Sequence, residues 1–182
     1  MDNGACSYRR FLEGDEEGFV EIVRDYKDGL IFYLNSFVSN IHIAEDLTQE
    51  TFIKLGLKRP KDLKKGSFKT WLYTIGRNTA VDYLRKNKKI VEISTEELLL
   101  LASDEESLEE SYIKNEKKIA VHRAMAELKN EYRQVLWLIY FEDFSNKETA
   151  EIMKKSVHAV ETLVYRARTA LKEKLVKGGF TE

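Results

Sequence analysis

A chain of 182 residues with 30 basic and 31 acidic side chains has room for one ordinary domain or two small ones, and carries no net charge that would announce a partner. Its single cysteine, Cys6, excludes an intrachain disulfide and a cysteine-based zinc site. No apolar run, Leu98–Ala102 among them, is long enough to span a bilayer, and the opening MDNGACSYRRFLEG lacks the core of a signal peptide, so a cytoplasmic protein without a membrane partner is expected.

The overall balance hides a strong segregation. Residues 13–50 hold 10 acids and 2 bases, whereas 54–89 hold 12 bases and 2 acids. Residues 92–116 then hold 9 acids and 1 base, and 117–177 hold 13 bases and 8 acids. Two basic segments separated by acidic ones form the electrostatic footprint of a DNA binder that must not bind DNA everywhere.

In chain order, the first predicted helix begins near Asp15, because Asp15, Glu16 and Glu17 suit the positive end of a helix dipole. Phe19, Ile22, Val23, Tyr26 and Leu30 follow at helical spacing, and the apolar pattern continues to Asn40. Gly29 falls inside that run and weakens the helix locally. The next helix is predicted over Ile43–Leu57. Ala44, Leu47, Thr51 and Leu55 point to a core, while Asp46, Gln49, Glu50, Ile53 and Leu57 point the opposite way. Carboxylates around two aliphatics on the back of an anchored helix suit a docking surface; they also occur on ordinary solvated faces. Lys58–Ser67 reads as a loop, since Pro60 and Gly66 both break helical geometry.

The stretch Gly66–Lys89 organises the rest. Phe68, Trp71, Leu72, Ile75, Thr79 and Tyr83 form a predicted core stripe. Lys69, Tyr73, Arg77, Ala80 and Leu84 lie on the other side, and the helix runs out into Arg85, Lys86, Lys88 and Lys89. Cations alternating with flat rings suit a nucleic-acid strand, whose phosphates need the former and whose unstacked bases need the latter. Taken alone, an amphipathic core helix with a solvated basic end has the same pattern.

From Ile90 to Glu116 the acid density indicates a linker. A second helical unit follows, opened by Ile119, His122, Ala126 and Leu128 and continued by Val135, Leu136, Trp137, Leu138, Ile139 and Tyr140. Ser145 with Glu148 three residues on is a capping box. The short helix it starts carries Ala150, Ile152 and Met153, and a tight turn at Lys154–Ser156 leads to a longer helix with Val160, Val164, Ala167 and Leu171 inside. Short helix, turn and longer basic helix make a helix-turn-helix. His42, His122 and His158 are not at metal-ligand spacing from one another.

Several of these motifs resemble one family. The run Phe68, Trp71, Leu72, Ile75, Arg77, Asn78, Asp82 and Arg85 is similar to the minus-ten-reading helix of bacterial sigma factors of the sigma-70 family, the extracytoplasmic-function (ECF) type above all. Asp46-Leu47-Thr48-Gln49-Glu50-Thr51-Phe52 resembles the family segment that grips the clamp helices of the polymerase β′ subunit. Glu148, Ala150, Ser156, Val160, Arg166, Ala167 and Arg168 match its minus-35-reading helix-turn-helix.

The resemblance spans roughly residues 11–175 in the family's order and implies an all-α fold of two small helical domains, 11–89 and 117–177, joined by an acidic linker, 90–116. It implies core RNA polymerase as a partner, through the β′ clamp helices and the β flap, with promoter DNA as a second and an anti-sigma factor as a possible third. The implied polymerase contacts are Asp46, Gln49, Glu50 and Ile53. The implied minus-ten contacts are Lys65, Ser67, Lys69, Trp71, Tyr73, Arg77, Asn78 and Arg85, with the Lys58–Ser67 loop forming a pocket for a flipped base. The implied minus-35 contacts are Ser156, His158, Glu161, Thr162, Tyr165 and Arg166. One departure stands out: where the family commonly carries two cations, this chain has Glu161 and Leu163. No nucleophile–base pair, phosphate loop or metal cluster is visible, so no enzymatic activity and no cofactor are expected, the catalytic Mg²⁺ being the polymerase's. Two rivals share part of the pattern. A polymerase-independent helix-turn-helix regulator accounts for 117–175 but not 41–89, and a sigma-like decoy binds polymerase without reading a promoter.

Overall fold

The computed structural model describes residues 3–58, 67–87 and 119–179, and every regular element among them is helical. The acidic linker and most of the Lys58–Ser67 loop, with Lys65, Lys88 and Lys89, lie outside the described residues.

The chain opens with a helix that periodicity had not suggested, α1 (Asn3–Leu12). It ends where Gly14, at φ 100°, turns the backbone into Asp15. Asp15 then caps α2 (Glu16–Val38) by accepting from the Glu17 amide, so the expected start is one residue from the observed one. Tyr8 and Phe11 of α1 are buried. The Ser7 hydroxyl donates to Glu21 at 2.6 Å and Arg10 pairs with Glu21 at 2.8 Å, which ties α1 to α2 and holds the Glu21 carboxyl below the usual carboxylate range.

Helix α2 is central: α1, α3 (Ile41–Lys58) and α4 (Phe68–Lys86) all pack on it. Ala44, Leu47, Thr51 and Leu55 of α3 are buried, as the sequence pattern predicts. On α4 the expectation holds for Phe68, Leu72 and Thr79, which are buried, while Trp71, Ile75 and Tyr83 are half-buried. Two residues expected on the outward side, Tyr73 and Ala80, are instead fully buried. The reason at Tyr73 is that its ring is covered from two directions, by Tyr33 of α2 at 5.4 Å and by Phe144 of the second unit at 5.0 Å.

That second unit comprises α5 (119–126), α6 (Asn130–Leu136) with a π turn over Trp137–Phe141, α7 (Asn146–Met153) and α8 (Val157–Lys177). The π turn stacks Trp137 on Phe141 with centroids 4.3 Å apart. Asp143, in the left-handed region at φ 54°, then turns the chain toward α7. The capping box forms as the sequence predicts, and Lys154 at φ 55° followed by the Ser156 cap makes the tight turn of the helix-turn-helix. Val160 and Ala167 of the expected inner stripe of α8 are buried, with Val164 and Leu171 half-buried.

The two units close on each other along α2 and α4, and one buried apolar cluster runs through both. At one end of this seam the last turn of α2, which has no basic residue of its own, is capped from the second unit. Asn130 donates to the Phe37 carbonyl at 3.2 Å, and Arg133 Nη2 donates to the Ser36 carbonyl at 3.3 Å and to Ser39 Oγ at 2.7 Å. A cation against the negative end of a helix is favourable, though burial itself pulls the Arg133 pKa down.

Candidate protein-docking and nucleic-acid faces

Three surfaces carry the residues singled out by the sequence. On the back of α3, Asp46, Gln49 and Glu50 are exposed. Beside them lie two aliphatics that a solvated face does not need: Ile53 is 58% exposed and Leu57 80%. Glu50 Oε1 pairs with Lys54 at 2.7 Å, and Lys54 also reaches Thr79 on α4 at 3.0 Å. The result is a rigid helix, packed on one side, that offers two exposed carboxylates and a polar amide next to an apolar ridge. Such a surface fits a partner with basic side chains around an apolar stripe.

Helix α4 presents its residues in two groups. Arg77 and Asn78 are partly exposed and Arg85 is exposed, pairing with Asp82 at 3.1 Å, one turn away. Trp71 is half-buried, its ring leaning on Tyr8 of α1 at 5.5 Å. Ser67, Lys69 and Tyr73 are engaged within the chain. The Ser67 hydroxyl caps α4 by accepting from the Thr70 amide at 3.2 Å. Lys69 Nζ pairs with Glu142 Oε2 at 2.9 Å and donates to the Glu142 carbonyl at 2.7 Å. Burial first, and the nearby Glu142 carboxylate second, push the Tyr73 hydroxyl well above the usual tyrosine range. Next to this cluster the Thr70 hydroxyl donates to Glu148 at 3.3 Å. Burial works against the charged form of Glu148, but hydrogen bonds from the Ser145 hydroxyl and amide outweigh it and hold that carboxyl below the usual range.

On α8, Ser156, His158, Glu161, Tyr165 and Arg166 are exposed and form the outer face of the second helix of the helix-turn-helix, with Thr162 partly covered. Tyr165 is 75% exposed, an unusual position for a large ring unless something covers it. Ser156 and Thr162 spend their hydroxyls locally, as the helix cap and on the His158 carbonyl at 3.0 Å. Glu161 stands 4.0 Å from the His158 ring.

Sequence reasoning missed Gly29, Arg133, Glu142 and Phe144, which build the seam. Gly29 did leave a signal, as a glycine inside a long apolar run. The Gly29 carbonyl accepts from the Trp137 indole at 3.2 Å, and a side chain at this position would collide with the Glu142 carboxylate and the Tyr73 hydroxyl. Helix α2 is notched where the second unit enters.

Residues 22–90 match the family model of sigma-70 region 2, and residues 118–171 match that of sigma-70 region 4. The chain is 30% identical over 175 residues to the ECF RNA polymerase sigma factor SigW of Bacillus subtilis, covering 92% of this chain and 94% of SigW. It is 32% identical over 152 residues to SigM of the same organism, another ECF RNA polymerase sigma factor, covering 84% and 91% of the two chains. Among solved structures its fold is similar to that of CnrH in complex with the cytosolic domain of CnrY, with a TM-score of 0.66 at 20% identity over 97% of this chain and 99% of that one. It is also similar to that of the sigma factor RpoE from Bartonella quintana in complex with the anti-sigma factor NepR, with a TM-score of 0.65 at 24% identity over 86% and 96%.

Proposed function

The chain belongs to the ECF type of the sigma-70 family, and from that premise we propose that it binds core RNA polymerase in the cytoplasm and directs promoter recognition, minus-ten melting and transcription initiation. The observation that carries the docking step is the back of α3. Asp46, Gln49 and Glu50 surround the exposed Ile53 and Leu57, while the other stripe of the same helix anchors it in the core. In this reading Arg77, Asn78 and Arg85, with Lys69, Trp71 and Tyr73, hold the melted minus-ten strand, and Lys65 and Ser67 flank a pocket for its flipped base. The exposed face of α8 enters the major groove at the minus-35 element, where Tyr165 and Arg166 anchor and His158, Glu161 and Thr162 read. The polymerase supplies the chemistry, and the sigma factor supplies binding energy and geometry.

The domain limits proposed are 11–89 and 117–177, with the acidic segment 90–116 between them. A regulator that works without polymerase is disfavoured, because it leaves the region 2 match over 22–90 without a role. An anti-sigma factor is a proposed regulatory partner, as NepR is for RpoE. The test is run-off transcription by core polymerase with and without this protein, on fragments of its own genome. Discrete new start sites are expected; co-purification with core polymerase but no promoter-dependent transcript would make the protein a decoy.

A further inference from the structure

Helix α1 precedes the stretch 22–90 that matches region 2, yet it backs the proposed minus-ten face. Tyr8, 2% exposed, sets its ring 5.5 Å from that of Trp71 and 5.2 Å from that of Phe68, so it spans one turn of α4. Phe68 itself lies 5.9 Å from Trp71. Trp71 is thus wedged by two rings on its inner side and stays half-buried, with the rest of its indole open. A ring held this way is ready to stack an unstacked base, and ordering it beforehand removes a cost that binding would otherwise carry. We infer that Tyr8 is a positioning residue for promoter opening, acting through Trp71 and not through a contact of its own with DNA. The inference rests on the minus-ten reading of Trp71.

The backbone of α1 is seated just as closely. A side chain at the buried Gly4 would run into the Phe68 ring and the Tyr26 hydroxyl, so α1 lies against α4 without slack. On the other flank, a side chain at Gly18 of α2 would meet the Ser7 carbonyl and the Phe11 amide, which are backbone and cannot turn aside. Polar contacts then fix α1 without help from Tyr8. Ser7 and Arg10 both hold Glu21, and Arg10 reaches Asp15 at 2.6 Å. Removing the Tyr8 ring therefore frees Trp71 while α1 stays tethered. If Tyr8 only filled the core, its loss would lower stability and leave opening untouched.

The test uses holoenzyme assembled from core polymerase and the full chain, on a promoter fragment found by run-off transcription and carrying 2-aminopurine in its minus-ten element. Tyr8→Leu should slow opening roughly threefold to tenfold, the range an aromatic pair supplies, with core binding and initial promoter binding unchanged. Tyr8→Phe keeps the ring and should open at the wild-type rate. Gly4→Ala, which pushes α1 off Phe68 and leaves the Tyr8 ring in place, is a second route to slow opening should Tyr8→Leu not fold. The chain has two tryptophans, so a Trp137→Phe background reads the anisotropy decay of Trp71 alone, and Tyr8→Leu should speed its local motion. Adding Tyr8→Leu to Trp71→Ala should slow opening no further. A further loss in that pair, unchanged Trp71 motion, or wild-type opening by both Tyr8→Leu and Gly4→Ala overturns the inference. Wild-type opening by Trp71→Ala instead removes Trp71 from the minus-ten contacts, whereas slow opening by Trp71→Ala beside a wild-type rate for Tyr8→Leu defeats the positioning role alone.

Discussion

Asp46 and Glu50 are a useful place to weigh single residues, because their free-state contacts are weak and their proposed bound-state contacts strong. Glu50 spends its charge on Lys54 at 2.7 Å, a half-exposed pair one helical turn apart and worth only about 0.3–0.5 kcal/mol. Against the polymerase clamp, removing a charge-assisted partner costs ~2–5 kcal/mol, most of it from stranding the opposite charge. Asp46→Ala with Glu50→Ala should therefore abolish core binding in a fluorescence-anisotropy titration while the circular dichroism spectrum stays helical. Assembly at wild-type affinity would mean that α3 docks elsewhere or not at all. On α8 the question is what a carboxylate does at Glu161, on a helix proposed to read DNA. Near phosphates Glu161 is repulsive, yet in the major groove it can accept from cytosine N4. Its exposed position on the face with Tyr165 and Arg166 suits the second role. Glu161→Gln should then relax preference at one base pair by roughly 1–3 kcal/mol and leave the others alone. A selection from randomised minus-35 sequences checks this, and identical preferences for the two proteins rule it out.

Among the elements, α7 is where chemistry and packing meet most directly. Its capping box satisfies two amides, and Ser145→Ala should cost about 1 kcal/mol in denaturant unfolding. Glu148, the other half of the box, has its pKa lowered in the folded chain, so its ionised form stabilises the fold above the ordinary glutamate range, and that stabilisation is lost as pH falls through the depressed value. Stability of wild type and Glu148→Gln, followed by denaturant midpoints, should thus run parallel near neutrality and converge in acid, because only the wild type loses this contribution; parallel curves down to the acid limit would show that Glu148 is not held as described. The capping box was legible in the sequence because it is local: Ser145 and Glu148 stand where the spacing puts them. The buried stripe of α3 was legible for the same reason. Tyr73 and Ala80 were misplaced because periodicity reports the faces of a helix and not how many of them are covered, and α4 packs against both α2 and α7. Gly29 read as a weakness of α2 because its explanation, Glu142, lies in the other half of the chain. Helix α1 was missed because Tyr8, Phe11 and Leu12 make barely one turn of pattern before the stronger signal at Asp15.

For the molecule as a whole, the question is how far the two units depend on each other. Residues 119–179 alone are a small helical unit, and cores below ~70–80 residues rarely supply more than about 3–5 kcal/mol. Yet Trp137 and Phe144, both buried, bring their rings against Phe32 and Tyr73 of the first unit at 5.0 Å each, so part of the second unit's core is borrowed. Two units sharing one apolar cluster should melt together, and the free chain should show one calorimetric transition with matching calorimetric and van't Hoff enthalpies. Charge at the seam then becomes a lever on cooperativity. Glu142→Lys replaces attraction to Lys69 with repulsion at a site where the glutamate side chain is 12% and the lysine side chain 28% exposed. Breaking a fully buried pair costs roughly 3–5 kcal/mol, and partial exposure of Lys69 reduces this to about 2–3 kcal/mol. In a unit of this size that loss lowers Tm by roughly 10 °C or more. The first unit keeps α1 to α4 packed on one another, so it should hold its own transition while the second melts ahead of it. Differential scanning calorimetry of the variant should therefore resolve two peaks where the wild type has one. A single peak at the wild-type temperature would mean that the seam contributes nothing to the stability of the closed chain.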